Sequence, residues 1–225
     1  MEVLRTTGLR HGFSAGKTLV EPLQGVDLTV DEGEFVAVSG ASGCGKTTLL
    51  LACGAMRKPT DGVVCIDGVD VYGISASQRA ALRSTTLGYL FQTMELVPYL
   101  SVLDNLLLVP GTHIADAKDW LDRLGLVDRV SHRPDSLSQG EIQRAALARA
   151  LIHKPKLIIA DEPTGNLDPE NTVFVFETLR QYASDGGAVL VASHEPNVSE
   201  LASHVFRIES GQLISKNKGE RQSPQ

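Results

Sequence analysis

Apolar residues in this chain recur with two periods. Short runs at 26–30, 35–39 and 63–66, separated by Glu-Gly and Asp-Gly pairs that favour turns, have the length of strands. They predict a β-rich layer near the N-terminus. Stretches at 46–56, 77–83, 102–108, 115–124 and 139–153 carry small and apolar residues at helical spacing. The apolar runs 87–91, 156–160 and 188–193 are shorter and flanked by turn or helix signals, as strands buried on both faces of a parallel sheet are. Strands alternating with helices imply an α/β core. The mainly helical segment from about 93 to 153 interrupts that alternation and is expected to form a subdomain. Residues 1–215 are expected to form one domain, and the polar ending KNKGERQSPQ a disordered tail.

One helical stretch, LSQGEIQRAALARAL at 137–151, opens on polar residues and admits two readings. In the first, Ser138 caps the helix, Glu141 completes a capping box, and Ala145, Leu147, Ala148 and Leu151 form the buried stripe. In the second, the free N–H groups and positive dipole of the helix start await a phosphate.

Candidate chemistry sharpens the second reading. Residues 35–51, FVAVSGASGCGKTTLLL, read as a strand, a glycine-rich loop and a helix, the context in which G-x-x-x-x-G-K-[ST] binds phosphate. Gly40, Gly43 and Gly45, with Ala41, Ser42 and Cys44 between them, let backbone N–H groups face an anion. Lys46 then reaches the β and γ phosphates of ATP, Thr47 offers a hydroxyl to Mg²⁺, and Thr48 continues the helix start. Cys44 admits both a reactive thiol, in this N–H-rich setting, and a small filler.

The run LIIADE at 157–162 delivers Asp161 and Glu162 to a strand end. Asp161 suits Mg²⁺ and Glu162 suits activation of an attacking water, a pairing that favours hydrolysis over transfer to a small acceptor. AVLVASH at 188–194 brings His194 to the same edge of the sheet, against the γ-phosphate, and Gln92 after 87–91 reaches Mg²⁺ or the water.

Composition bounds the partners. A formal net charge of −6 leaves nucleic acid without an electrostatic footing. Cys44, Cys53 and Cys65 form no CxxC pair and read as reduced thiols. No run approaches the roughly 20 apolar residues that cross a bilayer, and the N-terminus lacks the apolar core of a signal peptide. The expectation is a soluble cytoplasmic protein that needs another chain for any membrane-spanning work.

Taken in order, these motifs resemble the ATP-binding cassette (ABC) ATPases over about residues 3–214. GASGCGKTT is similar to the Walker A motif, FQ at 91–92 to the Q-loop and LSQGE to the signature. LIIADE is similar to Walker B, GNLD at 165–168 to the D-loop, and His194 to the switch histidine. The resemblance implies a P-loop NTPase fold: a RecA-like α/β core with an antiparallel β layer and a helical subdomain. It implies that Phe13 stacks on adenine and that two cassettes bind head to tail. Ser138 and Gly140 of one copy would then meet ATP held by the other, a homodimer mate or close homologue. LSQGE departs from the family's LSGGQ at Gln139 and Glu141, which brings a carboxylate near ATP. DEPTGNLD, the segment after Gln92 and RPDSLSQGE look most like the group serving lipoprotein release, macrolide efflux and cell division. That group implies an integral membrane permease as partner, a location at the inner face of the cell membrane, and a groove for it lined by Met94, Leu96, Tyr99 and Leu100. The other function left open is a non-transport ABC ATPase acting on DNA or ribosomes.

Overall fold

The computed structural model describes residues 1–15, 18–91, 96–165 and 167–216. In chain order the strands are β1 (Glu2–Ala15), β2 (Thr18–Asp31), β3 (Phe35–Ser39), β4 (Asp61–Ile66), β5 (Val69–Asp70), β6 (Leu87–Phe91), β7 (Leu157–Asp161), β8 (Ala188–Ala192), β9 (His204–Glu209) and β10 (Gln212–Lys216). The helices are α1 (Lys46–Cys53), α2 (Ala76–Thr86), α3 (Val102–Leu107), α4 (Ile114–Arg123), α5 (Gln139–Leu151), α6 (Pro169–Ser184) and α7 (Val198–Leu201).

Two sheets result. One, ordered β2-β1-β4-β5, is antiparallel. The other, ordered β10-β9-β3-β8-β7-β6, is parallel except for the β9–β10 hairpin. Every residue of β7 and β8 is buried, because both faces of the second sheet are covered. Strand alternation divides its side chains between two cores. Phe35, Ile158, Ala160, Val189 and Val191 face Leu106, Leu121, Leu147 and Phe176 of the helical side. Val36, Val38, Leu157, Ile159 and Leu190 face Leu49 and Leu50 of α1 together with Leu4, Leu9 and Ile66 of the antiparallel sheet.

Elements predicted from the sequence reappear, β3 and β6 with the predicted ends and the others with shifted ones. α1 stops at Cys53 because Gly54 follows and Ala55 turns left-handed at φ 55°. Six elements escaped the pattern: β1, β5, α6, α7, β9 and β10. β1 carries register shifts that break its alternation, α6 hides helical spacing inside the β-favouring VFVF at 173–176, and β9–β10 is a short hairpin turning on Ser210 and Gly211. Lys216, the first residue of the expected tail, pairs with Val205 in β10, while 217–225 lie outside the described residues.

Candidate active site

The parallel register decides what meets what. Val38 and Asp161 both pair with Ala192, and Phe91 pairs with Asp161, so the carboxyl ends of β3, β6, β7 and β8 share one edge. Ligands gather at such an edge.

The loop from Gly40 to Gly45 crosses it and starts α1. Unlike α2, α3, α5 and α6, this helix has no side-chain cap, and unlike α3, α5 and α6 it has no acidic residue in its first turn. That leaves backbone N–H groups and dipole for an anion. Gly45 sits at φ 116° against β2, where a Cβ would stand 2.6 Å from the Pro22 carbonyl oxygen. Ala41, Ser42 and Gly43 are exposed, whereas Cys44 packs partly buried against the core around α1, a filler's contact.

Lys46 donates from Nζ to the carbonyls of Gly40 (2.9 Å) and Ala41 (3.4 Å), which holds its ammonium over the loop. The same nitrogen lies 3.7 Å from Glu162 Oε1. Glu162 Oε2 in turn lies 2.7 Å from His194 Nδ1. An ionised carboxylate only accepts, so the proton of this bond belongs to Nδ1. Glu162 adopts φ 46°, rare for a residue with a Cβ and the kind of strain that clusters at functional sites.

Asp161 is buried beside them. The Thr47 hydroxyl stands beside the Asp161 carboxylate, and Oδ1 has no hydrogen-bond partner among the described residues. Burial pushes the Asp161 pKa up and Glu162 adds to it, while the Thr47 hydroxyl and Lys46 oppose the rise. A buried carboxylate with an unpaired oxygen and a threonine hydroxyl on its other side fits a hard cation such as Mg²⁺, which takes few protein ligands and keeps water and phosphate oxygens. Thr48 is buried in the first turn of α1. Gln92 lies outside the described residues. Phe13 is 47% exposed on β1 and pairs with Val20, leaving a ring face open to solvent.

The signature stretch begins α5. Ser138 Oγ accepts from the Glu141 N–H (3.2 Å), Glu141 Oε2 accepts from the Ser138 N–H (2.8 Å), and Arg129 Nε donates to Glu141 Oε1 (2.7 Å). The capping reading of this stretch is therefore formed, and Ser138 stands exposed at the helix start.

Residues 23–165 match the sequence family described as ABC transporter. The chain belongs to the ABC transporter family. It is 39% identical over 220 residues to the lipoprotein-releasing system ATP-binding protein LolD 1 of Rhodospirillum rubrum, covering 94% of this chain and 97% of that protein. Identity to the macrolide export ATP-binding/permease protein MacB of Nitrobacter winogradskyi is 37% over 221 residues, 95% of this chain and 34% of that protein. The dimeric structure of MJ0796, a bacterial ABC transporter cassette, superposes with a TM-score of 0.87 at 31% identity, covering 93% of this chain and 96% of that one. A post-hydrolysis dimer of the same cassette with ADP and Pi gives 0.86 at 30% identity. The chain is thus an ATP-binding and ATP-hydrolysing ABC subunit, similar to proteins of the lipoprotein-release and macrolide-export group.

Within this ABC cassette, polar groups that the motif reading passed over tie the signature to the Walker B strand. Buried Gln143 donates to the Pro163 carbonyl, and Arg144 donates to Asn171 Oδ1. Asn171 also donates to both carboxylate oxygens of Asp168, at 2.8 and 2.7 Å. A signal was present: Gln143 lies in line with Leu147 and Leu151 at i, i+4 and i+8, and a polar residue on a buried stripe needs a partner. Arg129, twelve residues before Glu141, carried none. Of the expected partner groove, Leu96 is core, Leu100 is half-buried, Tyr99 is 73% exposed and Met94 lies outside the described residues. Among the described residues no helix is long and apolar enough to cross a membrane.

Proposed function

We propose that two ABC subunits, copies of this chain or close homologues, close head to tail around two ATP molecules, and that closure drives an integral membrane permease at the inner face of the cell membrane. The convergence of Lys46, Glu162 and His194 at one sheet edge carries the reading. In it, the N–H groups of the 40–48 loop and Lys46 bind the β and γ phosphates. Glu162 takes a proton from water, aided by His194, which fixes the carboxylate's orientation through Nδ1 and presents its exposed Nε2 edge to the γ-phosphate. Thr47 and Asp161 would hold Mg²⁺, which neutralises phosphate charge when bound. Gln92 is assigned to the same cation and water, and Phe13 to the adenine face.

Ser138 and Gly140 are assigned to the partner subunit's ATP, with the helical segment from about 93 to 153 as the subdomain that presents them. The exposed Ser138 at the start of α5 supports this. Similarity to proteins named for lipoprotein release and macrolide export supports a permease partner. The exposed apolar side chains Tyr99, Leu108, Ile114 and Val127 on the helical segment offer it a surface.

Ser138→Arg tests the reading. ATP-dependent dimerisation, followed by light scattering, is expected to be lost while the monomer binds a fluorescent ATP analogue as before. Dimerisation that persists would remove Ser138 from the trans role. Recovery of an integral membrane protein with the tagged chain from a detergent extract supports the permease, and sedimentation with ribosomes or DNA instead would overturn it.

A further inference from the structure

A capping box normally ends with its glutamate facing water. Here both oxygens of Glu141 are used, one by the Ser138 N–H at 2.8 Å and the other by Arg129 Nε at 2.7 Å, and the Glu141 side chain is only 18% exposed. The carboxylate therefore stands one hydrogen bond away from the hydroxyl assigned to an ATP phosphate. An unpaired negative charge there would repel that phosphate, since charges at such range interact strongly at an interface that excludes water.

Arg129 comes from a short turn, Val127–Arg129, that is fastened on both sides. The Leu126 N–H donates to Leu121 of α4 at 2.7 Å. The N–H groups of Val102 and Leu103 at the start of α3 donate to His132 (2.8 Å) and Val130 (3.0 Å). The guanidinium is thus carried by the two helices of the segment that bears the exposed Tyr99, Leu108, Ile114 and Val127.

We infer that Arg129 is a positioning residue for the signature: by pairing with Glu141 it cancels the carboxylate's charge and holds the box so that Ser138 can donate to the partner subunit's ATP. The inference rests on the trans reading of Ser138. It gives the departure of Glu141 from the family's glutamine a physical account, because a carboxylate is tolerated beside phosphate when a second residue neutralises it. The Ser138 N–H and Arg129 also hold the Glu141 pKa down at about 2, so the pair is charged on both sides at neutral pH.

The test compares R129Q with R129Q/E141Q, both in the full chain. R129Q is expected to raise the ATP concentration for half-maximal dimerisation, and the KM for ATP, by about fivefold to tenfold with a smaller change in kcat, while monomer affinity for the fluorescent analogue holds. In R129Q/E141Q the neutral glutamine still caps Ser138. Dimerisation and KM are expected to return toward the original values, a rescue that loss of arginine packing alone would not allow. A double variant as impaired as R129Q, or an R129Q that dimerises as the original chain does, would overturn the inference. Ser138→Arg separates the two levels: if it blocks dimerisation and R129Q does not, the trans reading stands and the role of Arg129 falls.

Discussion

Glu162 Oε2 lies 2.7 Å from Nδ1 of His194, although 32 residues separate them, and its other oxygen lies 3.7 Å from Lys46. The three side chains follow the ends of β7 and β8 and open α1 after β3, so their meeting is a product of parallel register. The Glu162→Gln variant retains the shape of the group without its basicity. Its kcat is expected to fall by about 10²- to 10⁴-fold with ATP binding retained, and His194→Ala is expected to lose less. Steady-state phosphate release and nucleotide titration check this. Undiminished turnover in Glu162→Gln would take the base role from Glu162.

Gly140 faces Asn171, and an alanine Cβ there would stand 2.6 Å from both amide atoms. Asn171 is poorly placed to yield, because Arg144 and Asp168 hold its two ends. Helix propensity favours alanine over glycine by about 0.8–1 kcal/mol, and overpacking typically costs about 1–3 kcal/mol, so the clash should win. Gly140→Ala is expected to lower stability in urea denaturation. Paired with Asn171→Ala, which clears the space, the same alanine should become neutral or stabilising. A single Gly140→Ala variant as stable as the original chain would show that Asn171 moves freely.

His153 sits in the turn just after α5 with Nε2 3.1 Å from the Leu87 carbonyl oxygen and Nδ1 buried without a partner among the described residues. Burial lowers its pKa, and the Leu87 bond opposes this only in part. The sign follows: the unfolded chain takes a proton near pH 6.5 while the fold still resists one. Stability should therefore fall as pH drops below about 6.5, until the folded histidine titrates too. Chemical denaturation at pH 7.5 and 5.5 is expected to show a smaller drop for His153→Gln than for the original chain. His11, whose pKa burial also lowers, leaves a residual slope. Equal slopes would mean that His153 is protonated in the fold.

Much of this protein was legible in one dimension because its chemistry is local. A phosphate loop, a capping box and a carboxylate pair each need neighbouring residues at fixed spacing, so Gly40–Thr48, Ser138–Glu141 and Asp161–Glu162 stood out together with the strands and helices that bear them. Sequence order even suffices to recognise the ABC family, since its motifs recur in a set succession.

Non-local relationships were settled only by the tertiary structure. Which oxygen of Glu162 meets His194 depends on the register of β7 against β8, and the Gln143 and Arg144 ties depend on how α5 packs beside α6. The pairing of Arg129 with Glu141 depends on a turn anchored to α3 and α4. Such contacts carry no spacing rule, because chain folding alone brings their partners together. That is why Glu141, an awkward carboxylate when read along the sequence, proves in three dimensions to be a paired and doubly bonded one.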